Sequence, residues 1–163
     1  MIRTRLTSQC GLRAPFVSAG MGFLAQPPLA AAVSNAGGLG LLAPGAAPPP
    51  VLREAIRATR QLTPHPFGVD FIIETIAQGP LTVEQHIEVC IEEQVPVVVF
   101  FWHLPPGSWI RRLLDAGVKV WLPTGSVEGA RKAVDAGMDA VVARAAKPGG
   151  TMREPRHCLR CCR

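Results

Sequence analysis

The sequence lacks any long hydrophobic segment. Its longest apolar runs are short, as in 95–102, where Pro96 interrupts the run. None of them approaches the roughly 20 residues that a membrane-spanning helix needs. The first residues also lack the unbroken apolar core of a secretory signal, because Gln9, Arg13 and Pro15 interrupt it. We therefore expect no membrane association and a cytoplasmic location.

Cysteines are too few and too unevenly placed for a disulfide framework. Cys10 and Cys90 stand alone, and the other three lie within the last six residues. The Cys158 to Cys161 spacing could supply zinc ligands, but crowding four ligands into six residues would strain a tetrahedral site. We predict no metal site and an irregular Arg/Cys-rich tail over 152–163.

Most of the chain has almost no excess of charge. The net charge is +5, and the tail supplies +3 of it, since 152–163 holds four arginines against one glutamate. The remainder is close to neutral, so we predict no nucleic-acid-binding surface.

Short apolar segments do alternate regularly with helical ones. Because these segments are continuously apolar, they indicate a parallel sheet covered by helices on its faces. Strands are predicted at 15–19, 39–42, 67–73, 95–101, 118–122 and 139–143.

Turn and cap residues mark the helices between these strands. Pro27 and Pro28 suit the first turn of a helix, and Gly37 suits its left-handed end. His86 fits a helix surface, and His65 fits a loop. Three side-chain N-caps are expected, at Thr82 (with Gln85 completing a capping box), Ser108 and Ser126.

Two α/β architectures fit this alternation. A doubly wound sheet usually has a glycine-rich turn after its first strand, but Ala25 stands where the third glycine would be, and the helix begins late. A barrel of eight units takes about 250 residues, whereas six units occupy 15–143 here. We predict a parallel (β/α) barrel of the TIM type that is incomplete, with the barrel domain over 1–151.

The carboxyl ends of barrel strands form the active face, so candidate functional residues are sought there. The candidates are Gly20, Met21, Gly22, Asp70, His103, the loop 123–126 and the segment 144–151.

Several motifs together resemble the nitronate monooxygenase family, formerly called 2-nitropropane dioxygenases. The family consists of FMN-dependent α/β barrels that oxidise alkyl nitronates with O₂. The similarity runs from about Thr4 to Arg153, and the block Leu29 to Gly40 is its most specific part. The other blocks are Phe67–Asp70, Val98–Trp102 before Leu104–Pro106, Asp139–Ala143 and Gly149–Gly150.

The resemblance implies an FMN site at the strand ends. Met21 would lie against the flavin, although a methionine there also suits a packed core. Asp70 stands where the family has an asparagine that bonds the flavin, and ionised aspartate can only accept. Gly149 and Gly150 would let the backbone approach the flavin or its phosphate. The remaining implied cofactor-binding residues are Gly22, Thr124 and Arg144.

The catalytic residue is not identified, because Thr151 replaces the family histidine and cannot act as a base at neutral pH. His103 is a conceivable substitute, but a lone loop histidine is usually just solvated. The family also places its main phosphate-binding loops after strands seven and eight, beyond the six units predicted here.

Three functions remain open. The first is an FMN-dependent nitronate oxidase whose small-molecule partners are a nitronate and O₂. The second is the related flavin-dependent enoyl-acyl carrier protein reductase. The third is an inactive barrel fragment that needs a partner or self-associates through its open edges.

Overall fold

The computed structural model describes residues 2–144, in which helices and strands alternate. The helices are α1 (Arg5–Cys10), α2 (Pro27–Asn35), α3 (Pro49–Leu62), α4 (Glu84–Glu92), α5 (Gly107–Asp115) and α6 (Val127–Asp135). The strands are β1 (Gly40–Leu42), β2 (Phe67–Ile72), β3 (Thr75–Ile76), β4 (Gly79–Pro80), β5 (Val97–Phe101), β6 (Lys119–Thr124) and β7 (Ala140–Ala143).

Five strands form one parallel sheet in the order β1, β2, β5, β6, β7. The predicted first strand, 15–19, is present only as a single parallel bridge from Val17 to Leu39, beside β1. With that bridge, six parallel segments follow one another in chain order, and each is joined to the next through a helix. This is the topology of consecutive β/α units in a barrel.

The two faces of the sheet bury different side chains, because successive strand residues point to opposite sides. One face, with Val69 and Phe100, packs against helix residues such as Ile56 and Ile87. The opposite, inward face is covered by residues from α1 and the turn after it. Its buried cluster consists of Cys10, Leu12, Leu39, Leu41, Val97, Val99 and Trp121.

Helix α2 begins and ends as the sequence predicts and lies very close to β1. Pro27 and Pro28 occupy its first turn, and Gly37 has a left-handed φ of 99° just past its end. A Cβ at Gly40 would overlap the backbone carbonyl of Ala30, so the helix and strand approach this closely only because residue 40 is glycine.

Of the three predicted N-caps, only Ser126 is confirmed, and its Oγ accepts a hydrogen bond from the Gly129 N–H at 3.0 Å. The Ser108 prediction is wrong, because α5 begins at Gly107 and Pro106 occupies its N-cap position. The Thr82 prediction is also wrong, because its hydroxyl donates to the Ile72 carbonyl at 2.9 Å. Thr82 thereby ties the end of the β3–β4 hairpin, which the sequence analysis did not predict, back to β2.

His86 provides the cap that Thr82 does not, and it is buried rather than on the helix surface as predicted. The Val83 N–H donates to Nδ1 at 3.0 Å, so the ring hydrogen lies on Nε2. Nε2 then donates to the Ala47 carbonyl at 2.9 Å. The ring therefore links the start of α4 to the loop after β1.

An ion-pair cluster joins α3 to the end of α4. The Glu93 carboxylate is within 3.2 Å of Arg53, 2.8 Å of Arg57 and 3.0 Å of Arg60. Burial raises the pKa of Glu93, but the hydrogen bonds and charges of these arginines lower it by more, so its net pKa is below the ordinary value. The cluster thus favours the ionised carboxylate.

The sheet is open at β7, the last described strand. Val141 and Val142 on this strand, and Val127 and Val134 on α6, are exposed although they are apolar. Within residues 2–144, no helix combines the length and the hydropathy that crossing a membrane requires.

Candidate functional site

The carboxyl ends of the parallel strands bring most of the predicted site residues to one edge of the sheet. The loop after the first strand carries Met21, which is 41% exposed, and Gly22, which has open space where a Cβ would stand. Since Met21 is this exposed, it does not fill a gap in the core. Its side chain is available to a ligand at this edge.

Asp70 lies on the inward face of β2. It pairs in register with Val99, a member of the inward cluster, and the same row continues to Trp121 on β6. Asp70 is 9% exposed, and its Oδ1 has no hydrogen-bond partner among the described residues. The Nε1 of Trp121 is likewise buried without a partner there. Two polar atoms on one row therefore face the interior unpaired.

Gly20 holds the Asp70 carboxyl from the neighbouring loop. The Gly20 N–H donates a hydrogen bond to the carboxyl. A Cβ at Gly20 would overlap Asp70 Oδ2, so this approach requires glycine. The sequence analysis singled out the Gly20 turn but did not predict its contact with Asp70, because the two residues are distant in sequence.

Burial raises the pKa of Asp70 to about 7, and the Gly20 N–H offsets only part of that rise. The physical cause is desolvation, which disfavours the charged carboxylate. At neutral pH a substantial fraction of Asp70 is therefore a neutral acid, which has a donor as well as acceptors. The expectation that ionised aspartate can only accept hydrogen bonds does not apply to this neutral fraction.

Thr124 and Arg144 meet at the ends of β6 and β7. The Arg144 N–H donates to the Thr124 carbonyl at 2.9 Å, and the guanidinium carbon lies 5.0 Å from the centre of the Phe101 ring. The Thr124 hydroxyl accepts from the Ser126 N–H at 3.3 Å. Thr124 thus shapes the turn before α6, while Arg144 places a cation beside an aromatic ring at the same edge.

His103 has a carboxylate neighbour that the sequence did not indicate. Its Nε2 lies 3.7 Å from Glu74 Oε2, and both side chains are solvent-exposed. Glu74 lies two residues after the end of β2, and His103 lies two residues after the end of β5, the adjacent strand in the sheet. Trp102, just before His103, has a left-handed φ of 78°, which is uncommon for a residue other than glycine.

Three predicted site residues, Gly149, Gly150 and Thr151, lie outside the described residues, and so does the Cys-rich tail. Across residues 2–144, no group of three or more His, Cys, Asp or Glu side chains is arranged to hold a metal ion.

The described residues fit part of a flavin. An unpaired buried polar atom on Asp70 and the exposed side chain of Met21 suit the polar edge and the face of a planar ring. Arg144 offers positive charge at the same edge of the sheet. The glycine turn that the sequence associates with the flavin or its phosphate falls at 149–150, outside the described residues. The described residues therefore include only those that would contact the flavin ring and the neighbouring strand ends.

The fold and the site together define a class of protein: a parallel (β/α) barrel fragment with an inward carboxyl in the carboxyl half of one strand. Comparison with known proteins then identifies the family. The family model for nitronate monooxygenase matches residues 3–157. The chain belongs to the nitronate monooxygenase family of flavin-dependent oxidoreductases.

Individual relatives agree with this assignment. The chain is 37% identical over 149 residues to (3aS,4S,5R,7aS)-5-hydroxy-7a-methyl-1-oxo-octahydro-1H-indene-4-carboxyl-CoA dehydrogenase of Rhodococcus jostii, covering 91% of the chain and 40% of that protein. It is 33% identical over 178 residues to a probable nitronate monooxygenase of Staphylococcus aureus, covering 91% of the chain and 50% of that protein. The chain therefore spans about half the length of these relatives or less.

Solved structures show the same similarity. FabK from Thermotoga maritima superposes with a TM-score of 0.80 at 42% identity, covering 88% of this chain and 44% of that one. Nitroalkane oxidase from Streptomyces ansochromogenes gives a TM-score of 0.79 at 31% identity, covering 86% of this chain and 48% of that one. The prediction of an incomplete α/β barrel is confirmed.

Proposed function

We propose that the chain forms the first part of an FMN-dependent enzyme that oxidises alkyl nitronates with O₂. The observation that carries this proposal is Asp70 Oδ1, in the carboxyl half of β2, which has no hydrogen-bond partner among the described residues of a chain of the nitronate monooxygenase family. FMN would supply the group that takes electrons from the substrate. Met21, Gly22 and Asp70 would bind its ring, and Thr124 and Arg144 would line the neighbouring strand ends.

The glycine turn at Gly149 and Gly150 would complete the cofactor site, with Thr151 in the place of the family histidine. His103, whose Nε2 lies 3.7 Å from Glu74 Oε2, is then the candidate for a substitute base. A His103→Gln variant that binds FMN normally and reacts with a nitronate at the wild-type rate would remove His103 from this role.

The direct test is reconstitution of the 163-residue chain with FMN. We expect flavin to co-purify or to be taken up, and the bound flavin to be reduced anaerobically by an alkyl nitronate. A chain that takes up no FMN would refute the proposal for this polypeptide.

A second candidate is an enzyme of the enoyl-acyl carrier protein reductase type, which acts on an acyl thioester. The observation that favours it is the similarity to the carboxyl-CoA dehydrogenase of Rhodococcus jostii, whose name also specifies a thioester. Anaerobic reduction of the bound flavin by NADH but not by a nitronate would favour this candidate over the first.

The third candidate is an incomplete barrel that requires a partner or self-associates. It is supported by the exposed apolar side chains of β7 and α6 at the open edge of the sheet. A stable monomer with one cooperative unfolding transition would contradict it. We propose a cytoplasmic location, and the free state of the two described cysteines, Cys10 and Cys90, is in keeping with it.

A further inference from the structure

The strongest unexplained feature of the inward face is the carboxyl of Asp70. Buried polar atoms of side chains normally have at least one hydrogen-bond partner. Here Oδ1 has no partner among the described residues, although Asp70 is 9% exposed. A buried oxygen in the carboxyl half of a barrel strand that has no partner among the described residues is best explained by a ligand that pairs with it.

The other carboxyl oxygen is fixed in place. Oδ2 lies against Gly20, and the Gly20 N–H donates to the carboxyl. Any side chain at position 20 would push the carboxyl away. The contact with Gly20 therefore orients Asp70 so that Oδ1 remains available for a second bond.

Among the described residues, no ion pair holds Asp70 in its charged form. The adjacent strands β1 and β5 carry no titratable side chain, and neither does the loop 18–22. The described ionisable residues along the strand ends are Glu74, His103 and Arg144, and those at the opposite end of the sheet are Cys10, Lys119 and Asp139. The pKa of Asp70 is instead governed by burial and by the Gly20 N–H.

We propose that Asp70 recognises the flavin ring as a hydrogen-bond donor, with Oδ1 carrying the hydrogen and an acceptor atom on the polar edge of the ring receiving it. The inference rests on the proposed function, since it takes the bound ligand to be a flavin. A neutral acid presents one donor and one acceptor side by side, which an ionised carboxylate does not. Flavin binding is then coupled to the protonation of Asp70.

The coupling predicts a pH-dependent affinity. When only the protonated form binds, the apparent dissociation constant rises as the protonated fraction falls. Between about pH 6 and about pH 8.5 this weakens binding by about 30-fold for a carboxyl that titrates near neutrality. An asparagine keeps its donor at every pH, so Asp70→Asn abolishes the dependence while preserving the shape of the side chain.

The experiment is a fluorescence titration of the full 163-residue chain with riboflavin, which has the flavin ring without the titrating phosphate. Wild type, Asp70→Asn and the control Asp135→Asn, whose carboxyl is exposed at the end of α6, are compared across this pH range. We expect wild type and the control to lose affinity with rising pH, and Asp70→Asn to bind equally at all values. A ¹³C NMR titration of the wild-type Asp70 carboxyl, which needs no variant, should give a midpoint near neutrality.

The possible outcomes separate this inference from the proposed function. If affinity rises with pH, stays constant in wild type, or falls equally in Asp70→Asn, the donor role is wrong while FMN binding stands. A midpoint below about pH 5 in the NMR titration of the Asp70 carboxyl would also show that the donor role is wrong. Binding of FMN without any binding of riboflavin also overturns only the ring contact, whereas binding of neither flavin overturns both proposals.

Discussion

Replacing Asp70 by asparagine also tests the energetic cost of burying the carboxyl, without any ligand. The pKa of Asp70 is about 7 in the folded chain, against an ordinary value of 3.8. The folded state therefore binds the proton more tightly than the unfolded chain, and ionised Asp70 opposes folding. This cost is absent below pH 3.8, grows as the pH rises, and is complete above the folded pKa.

The magnitude follows from the same two values. At about 1.4 kcal/mol for each pH unit between them, ionised Asp70 lowers the free energy of unfolding by roughly 4 kcal/mol above about pH 8. By about pH 5 less than half of this cost has developed. The stability of Asp70→Asn relative to wild type should thus increase by roughly 2.5 kcal/mol between about pH 5 and about pH 8.

The assay is urea unfolding followed by tryptophan fluorescence, with wild type, Asp70→Asn and Asp135→Asn measured at both pH values. Comparing each variant with wild type at the same pH removes the contribution of all other titrating groups. Asp135→Asn should show no comparable change, because its carboxyl is exposed. If the relative stability of Asp70→Asn is the same at both pH values within about 0.5 kcal/mol, the reasoning from burial is refuted.

Three further substitutions test contacts around the site and the helices, each by its free energy of unfolding. Gly20→Ala should cost about 1–3 kcal/mol by displacing the buried carboxyl, whereas Gly22→Ala, which meets open space, should change stability by less than about 0.5 kcal/mol; equal effects would contradict the close approach. His86→Leu should cost about 1–3 kcal/mol through two lost hydrogen bonds, and His65→Leu, on an exposed loop, should be nearly neutral. Glu93→Gln should cost about 1–3 kcal/mol near pH 7. Because the folded pKa of Glu93 is lowered, its stabilisation is present above the ordinary pKa and is lost as the pH falls through the folded one; a cost that persists unchanged in acid would contradict the ion-pair cluster.

The alternation of strands and helices was predictable because each unit carries a local signal. Continuous apolar runs give β2, β5 and β6 their buried positions on both faces, and Pro27 with Gly37 defines α2 through backbone geometry alone. The first strand was overestimated, since one bridge at Val17 is all that pairs with the sheet in the described residues. Pairing depends on the neighbouring strand, which a local apolar run does not specify.

Caps and histidines were harder to predict because more than one residue can satisfy the same backbone group. Thr82 has the chemistry of an N-cap, yet its hydroxyl bonds to Ile72, and the cap is provided by His86. Which of the two residues caps α4 depends on where the tertiary structure places the β3–β4 hairpin and the loop after β1. The His103 and Glu74 pair arises in the same way, from two adjacent strands ending side by side.

The sequence by itself determined the family, the order of the β/α units and the identity of the candidate residues, because those properties are written in local patterns and motifs. The tertiary structure alone decided the chemical state of Asp70. Burial among apolar strands raises the pKa of its carboxyl to about 7, and Gly20, about fifty residues earlier in the chain, orients it. Desolvation depends on which residues surround a group in space, and the local sequence around Asp70 does not specify those residues.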